Sequence, residues 1–403
     1  MSESINKIVL AYSGGLDTSV ILPWLKDRYG CEVVAYAADV GQGGEGELDG
    51  IEEKALASGA DKCFVDDLRQ EFAEQYCYRL LKAQARYEQT YLLGTSIARP
   101  LIAKGQVACA LREGADAVAH GATGKGNDQV RFELTYMALG PGLKIIAPWK
   151  DDTFELTSRE AAIEYAQQKG VPIAQTKEKI YSRDRNLWHI SHEGADLEDP
   201  RNEPKDDLWV MSVPVSDAPD EPGYVQIDFE AGCPVAIDGV RLGGHELIAR
   251  LNAIGGKHAV GQTDLVENRL VGIKSRGAYE TPGGTILYEA HRALESLTMD
   301  REMAHYKEQV ALKYAELVYY GQWFCPLREA LDAFVDSTQA NVTGSVRVRC
   351  HKGRATAASV QSPNSLYSAD LASFTMGAEY TPSDATGFIR LFGLQMRGRG
   401  KMD

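Results

Sequence analysis

The chain has 403 residues, 44% of them hydrophobic and 25% charged, which is enough apolar mass for packed cores in two or three domains. Its formal net charge of −14 excludes a general face for nucleic acid or an anionic membrane, because a phosphate polymer needs a basic surface. It does not exclude a small, locally basic pocket.

In chain order, Met1 to Lys7 is polar, with no apolar signal core. Ile8-Val9-Leu10 reads as a buried parallel strand. Ala11-Tyr12-Ser13-Gly14-Gly15-Leu16-Asp17-Thr18-Ser19 follows, and then a helix from Val20 to Tyr29. Strand, glycine turn and helix in that order aim backbone N–H groups and a helix N-terminus at one spot, which suits an anion. Gly14 and Gly15 let a phosphate approach closely, and Asp17 can hold a divalent cation beside it. The turn holds no Lys and lacks Walker spacing, and it lacks the G-x-G-x-x-G dinucleotide pattern.

Cys31 to Val40 is a second strand. Gly41 to Gly46 is too glycine-rich for regular structure and is expected to be mobile. Helices are expected at 47–58, 71–87, 98–113 and 127–139, and strands at 62–65, 115–120 and 144–149. Thr157-x-x-Glu160 reads as a capping box for a helix that ends at Gly170. Regular alternation predicts an α/β fold with a doubly wound, mostly parallel sheet, whose ligands bind beyond the strand C-termini. Ser13 to Ser19 and Gly121 to Asp128 fall just there.

Beyond Gly170 the texture changes. Glu193 to Asp207 is acidic and reads as an exposed loop. Residues 221–244 read as β-structure, 246–253 as a short helix, and 287–320 as one or two long helices. Residues 345–348 and 355–360 form an expected hairpin turning at Lys352-Gly353. The expected division is a nucleotide-binding domain over 1–172, an α+β domain over 173–361 and a C-terminal segment over 362–403. No run approaches the ~18 apolar residues of a membrane span. The seven cysteines form no C-x-x-C pair and read as free thiols in a reducing compartment. A cytoplasmic protein is expected.

The 11–19 segment resembles the Ser-Gly-Gly-x-Asp-x-Ser loop of the ATP pyrophosphatases, the PP-loop enzymes. Longer blocks resemble the argininosuccinate synthase family. These are Tyr91 to Pro100, Gly121 to Glu133, Tyr181 to Asp184 with Trp188 to Glu193, Glu267 to Arg269, Gly277 to Gly283, and Tyr319 to Phe324. The resemblance spans essentially the whole chain. It implies an adenine-nucleotide α-hydrolase-like sheet and an ATP- and Mg2+-dependent ligation of citrulline with aspartate through a citrullyl-adenylate. It also implies a homotetramer embraced by its C-terminal segments, with no nucleic-acid or membrane partner.

By resemblance, Ala11, Tyr12, Ser13, Gly14, Gly15, Leu16, Asp17, Thr18, Ser19, Ala38 and Gly121 hold ATP, with Asp17 on the metal. Tyr91, Ser96, Asn127, Arg131, Ser182, Ser191, Glu267 and Tyr279 hold citrulline. Thr123, Asn127 and Asp128 hold aspartate, with Asp17 and Asp128 as the catalytic carboxylates. Citrulline is a zwitterion with a neutral ureido end. Arg131 suits its carboxylate, Glu267 its ammonium, and the hydroxyls and Asn127 its ureido group.

Each residue alone has a plainer use. Asp128 could cap its helix, Arg131 could lie on a solvated face, Tyr279 could be packing, and Glu267 could pair with Arg269 or Lys274. The alternatives at the level of function are another ATP pyrophosphatase, such as a tRNA-thiolating enzyme or an amidotransferase, and a nucleotide-binding regulatory module.

Overall fold

The computed structural model describes residues 5–43, 48–156, 158–172, 181–373 and 380–400. Its first sheet contains β1 (Lys7–Ala11), β2 (Glu32–Asp39), β3 (Lys62–Asp67), β4 (Ala117–Ala119) and β5 (Lys144–Ile146), in the order β3-β2-β1-β4-β5. All four pairings are parallel. The strands are apolar on both faces, as a sheet covered on both sides requires. Ile8, Leu10, Val33 and Ala35 pack with Val20, Ile21 and Leu25 of helix Leu16–Tyr29 and with Ala162 and Ala166 of helix Arg159–Lys169. Val9, Ala11, Val34 and Tyr36 pack on the opposite face against helices Gly94–Glu113 and Asp128–Leu139. The sheet is therefore doubly wound, and its strand order reverses between β1 and β4. Ser13 and Gly121 follow these two neighbouring strands, at the switch point where such sheets bind ligands.

The second half builds on antiparallel pairing. Strands β6 (Ser182–Arg185) and β7 (Ile190–Glu193) come first, followed by β8 (Gly223–Glu230), β9 (Cys233–Ile237) and β10 (Val240–Arg241). Then come β11 (Gln262–Asn268), β12 (Lys274–Glu280), β13 (Gly344–His351) and β14 (Arg354–Gln361). They form a five-stranded sheet, β10-β9-β8-β13-β14, and a four-stranded sheet, β11-β12-β7-β6. Helices Gly244–Lys257, Pro282–Thr298, Arg301–Tyr319 and Pro326–Gln339 lie among them. One large core joins these helices to Tyr91, Leu93, Ile97 and Leu101 from the first half.

Several expected boundaries shift. The 47–58 helix is shorter, Ile51–Ala57, and the 246–253 helix is longer, Gly244–Lys257. The helical run at 71–87 spans Arg69 to Ala83, with a π-helical stretch at Phe72–Cys77. Helix Arg159–Lys169 is capped by Ser158, whose Oγ accepts from the Ala161 N–H, and Gly170 closes it at φ +69°. Thr157 lies outside the described residues, as do positions 44–46 of the glycine-rich loop. The start of that loop is anchored: the Leu187 N–H donates to the Val40 carbonyl at 2.8 Å, and a β-carbon on Gly41 would sit 2.7 Å from Leu187 Cβ. Helices Pro382–Phe392 and Leu394–Arg399 expose Phe388, Ile389, Leu391, Phe392 and Met396.

Candidate active site

A cavity of about 540 Å³ opens at the β1/β4 switch point, between the first sheet and the four-stranded sheet. Its first wall is the turn after β1. Gly14 takes φ +71°, a conformation cheap only for glycine. Ser13 Oγ and Thr18 Oγ1 bond at 3.1 Å across the turn, and Tyr12 Oη and Ser19 Oγ at 3.0 Å beneath it. Gly15 is the N-cap of helix Leu16–Tyr29 and supplies no side-chain cap. The first-turn N–H groups thus keep their capacity for an anion. Asp17 is exposed in that turn. Although the side chain is exposed, desolvation by the surrounding protein raises its carboxyl, and the Arg159 charge opposes the rise. Among the described residues no three His, Cys, Asp or Glu side chains cluster as a metal cage.

The second wall is the turn after β4. Gln129 Nε2 donates to the carbonyls of Gly124 at 2.6 Å and Gly126 at 3.1 Å, closing the turn. His120 holds its other end. The Ala122 N–H donates to His120 Nδ1 at 3.2 Å, and His120 Nε2 meets Glu133 at 3.1 Å. That contact and Lys150 hold the Glu133 carboxyl below its usual range. Gly121 is tight: an added β-carbon would lie 3.1 Å from Thr18 Cγ2 and 3.2 Å from Ile21 Cδ1.

The third wall is the four-stranded sheet. Its register puts Tyr279 opposite Ser191, and Ser191 opposite Asp184. Tyr279 stacks on Tyr91 at 4.4 Å and donates to Glu267 Oε1 at 2.8 Å. Glu267 is buried, and its Oε2 makes no hydrogen bond of good geometry; the Tyr319 hydroxyl, itself unpartnered, is close enough to interact with this carboxylate. Glu267 pairs with neither Arg269 nor Lys274. Arg269 instead reaches Glu193, and Lys274 reaches Asn268. A buried carboxylate oxygen without a well-placed donor is costly, and it fits an incoming ammonium.

Alternating charges cross the cavity floor. Arg131 Nη1 donates to Asp128 Oδ1 at 2.8 Å, and Arg99 Nε to Asp128 Oδ2 at 2.9 Å. Arg99 Nη2 then reaches Asp184 Oδ1 at 2.9 Å. Thr95 Oγ1 donates to Asp184 Oδ2 at 2.9 Å and lies 3.0 Å from His189 Nε2. The hydroxyl has one proton, so His189 must donate from Nε2. Burial pushes His189 down to about 4, so it is neutral. Burial acts to raise Asp128, but the Arg99 and Arg131 charges prevail and hold it below its usual range. Asp128 therefore does not cap its helix. Arg131 is buried, not on a solvated face, and its Nε and Nη2 also donate to the Tyr319 carbonyl at 3.2 and 3.0 Å.

Of the residues expected to hold substrates, Ala11, Tyr12, Ser13, Thr18, Ala38, Gly121, Tyr91, Thr123, Asn127, Asp128, Arg131, Ser182, Ser191, Glu267 and Tyr279 line this one cavity. Gly14, Gly15, Leu16, Asp17 and Ser19 do not line it; they form the turn and first helical residues beside it. Ser96 does not line it either and is fully buried behind Tyr91. Arg99, Asp184, Glu193 and Arg269 line it without having been assigned from sequence. Arg99 stands out as a lone charge in the apolar run from Ile97 to Ile102, whereas Asp184, Glu193 and Arg269 sit in polar stretches that carry no such mark.

The family model for the arginosuccinate synthase N-terminal HUP domain matches residues 7–172, and that for the arginosuccinate synthase C-terminal domain matches residues 181–398. The chain belongs to the argininosuccinate synthase family. The argininosuccinate synthase of Roseiflexus sp. (strain RS-1) is 59% identical over 98% of this chain and 97% of its own. That of Desulfitobacterium hafniense (strain DSM 10664 / DCB-2) is 60% identical over 99% and 98%. The chloroplastic argininosuccinate synthase of Arabidopsis thaliana is 58% identical over 99% of this chain and 80% of its own. Argininosuccinate synthase is an enzyme of arginine biosynthesis, a ligase that binds a nucleotide. Its substrates are ATP, citrulline and aspartate, one polyphosphate and two amino acids. Among the described residues no helix is long and apolar enough to cross a membrane.

Proposed function

We propose that the protein forms argininosuccinate by way of a citrullyl-adenylate, releasing AMP and pyrophosphate. The ureido oxygen of citrulline attacks the α-phosphorus of ATP, and the bond to the β-phosphate breaks. The aspartate nitrogen then attacks the activated ureido carbon. The carbon–oxygen bond to AMP breaks, AMP carries the ureido oxygen away, and the nitrogen loses a proton. A urea is a poor electrophile, and adenylation supplies the leaving group. No nucleophilic side chain is needed, so positioning and charge stabilisation carry the catalysis.

In this reading residues 11–19, Ala38 and Gly121 take ATP. Asp17 is the one carboxylate of the 11–19 turn. It suits a Mg2+ ion that arrives on the phosphates, since such ions rest on one or two carboxylates plus substrate oxygens. Bound there, the ion neutralises charge on the phosphates. Tyr91, Ser96, Asn127, Arg131, Ser182, Ser191, Glu267 and Tyr279 take citrulline, with Ser96 acting from behind Tyr91. Thr123, Asn127 and Asp128 take aspartate. Asp128, held between Arg131 and Arg99 in the charge ladder, orients the aspartate ammonium. A carboxyl held below its usual range by two arginines is a weaker base than a free one, which makes Asp128 a positioning group more than a proton acceptor.

The single observation that supports the reading best is the buried Glu267 Oε2, which makes no hydrogen bond of good geometry, in the same cavity as the β1 turn. Supporting a homotetramer is the exposed apolar surface of helices Pro382–Phe392 and Leu394–Arg399, a feature typical of buried interfaces. We place the domains at 1–172, 173–361 and 362–403, and the enzyme in the cytoplasm with no nucleic-acid or membrane partner. The test mixes ATP, Mg2+, citrulline and aspartate and reads products by mass spectrometry. AMP and pyrophosphate should need citrulline, and the joined product should need aspartate as well. A monomeric mass by light scattering would contradict the tetramer.

A further inference from the structure

The β1 turn carries no cation of its own, yet it is proposed to grip a leaving group that is among the most highly charged in metabolism. Helix Ile51–Ala57 supplies what the turn lacks. Ile51 lines the cavity, and its side chain lies 3.5 Å from where a Gly14 β-carbon would be. Lys54 is one turn further along, on the same helix face, and its ammonium donates to the Gly14 carbonyl. Lys54 has no carboxylate partner among the described residues. A half-buried ammonium that touches one neutral carbonyl keeps two N–H donors and its whole charge. It stands beside the glycine turn in a chain of net charge −14.

We propose that Lys54 is a pyrophosphate-binding residue of this enzyme, contributing from outside the loop the cation that P-loop enzymes carry inside theirs. The proposal rests on the reading of the β1 turn given above. The ammonium stabilises the β- and γ-phosphates as the α–β bond breaks and charge passes to the departing diphosphate. The α-phosphate stays with AMP, so the contribution falls on the pyrophosphate half of ATP.

The test uses the full-length enzyme with Lys54→Met and Lys54→Gln, and with pyrophosphate and AMP as inhibitors against ATP. Gln keeps a donor for the Gly14 carbonyl but no charge, so it separates a structural tether from an anion site. In both variants pyrophosphate inhibition should weaken by about ten- to a hundredfold, the worth of one hydrogen bond to a charged group. AMP inhibition and the KM for citrulline should stay within about twofold, and Lys54→Arg should restore much of the pyrophosphate affinity. Wild-type behaviour in Lys54→Gln would overturn the proposal and leave Lys54 a tether. Equal weakening of AMP and pyrophosphate, with a lowered Tm, would also overturn it, by showing that the turn had collapsed. If pyrophosphate failed to compete with ATP in the wild-type enzyme, the reading of the turn itself would fall, and Lys54 with it.

Discussion

Arg99 sits between two carboxylates, 2.9 Å from Asp128 and 2.9 Å from Asp184. Asp128 follows β4 of the first sheet, and Asp184 lies on β6 of the four-stranded sheet. The guanidinium therefore ties the two halves of the cavity together through charge. Arg99→Met should leave two facing carboxylates without their shared cation. Stability should fall by about 1–3 kcal/mol, less than the ~3–5 kcal/mol of a fully buried pair, since water still reaches this site. The kcat/KM for aspartate should fall by about a hundredfold. Urea titration and steady-state kinetics check both.

The Asp128 carboxyl has an ordinary value of 3.8 and is held lower in the folded enzyme. Its pairing therefore stabilises the fold above the unfolded pKa. That contribution fades as the pH falls below about 4 and is gone beneath the depressed folded value. Asp128→Asn should be less stable than wild type at pH 7, and the gap should narrow as the pH approaches 3. Tm measured against pH for both proteins checks the sign. A gap that widens toward acid would contradict it.

Glu267→Gln keeps the shape and the contact with the Tyr279 hydroxyl but removes the charge behind Oε2. The KM for citrulline should rise by about ten- to a hundredfold, with the KM for ATP unchanged. Arg131→Ala should raise the same KM by removing the cation for the carboxylate. No change in that KM for either variant would remove the residue from the citrulline site.

Gly121→Ala would place a methyl group against Thr18 and Ile21, at 3.1 and 3.2 Å. The cavity wall must then yield by a few tenths of an ångström. The KM for ATP should rise about tenfold while that for citrulline holds. Initial-rate kinetics with each substrate varied in turn decide it.

The parallel half was legible because β1 to β3 and their helices carry strong apolar periodicity and glycine punctuation. The four-stranded sheet was not. Ser182–Arg185 is polar throughout because all four residues line the cavity, and in Gln262–Asn268 Glu267 faces the cavity while Leu265 faces the core and Val266 is exposed, which erases the alternation that marks a strand. Helix Pro326–Gln339 went unassigned although its signal is present: Pro326 opens it, and Leu331, Phe334 and Val335 share a buried stripe. Within the site, single residues such as Glu267 and Tyr279 were legible only through resemblance, since each has a plainer use alone. Arg99 and Asp184 fall inside the resembling blocks, but what gives them a place in the site is a contact between elements distant in sequence.

The most direct test of the chemistry follows the ureido oxygen. Citrulline labelled there with oxygen-18 is converted with ATP and aspartate, and the AMP is weighed by mass spectrometry. Adenylation of the ureido oxygen predicts AMP that carries the label, one atom per turnover, and unlabelled pyrophosphate. Unlabelled AMP alongside newly formed argininosuccinate would contradict the account.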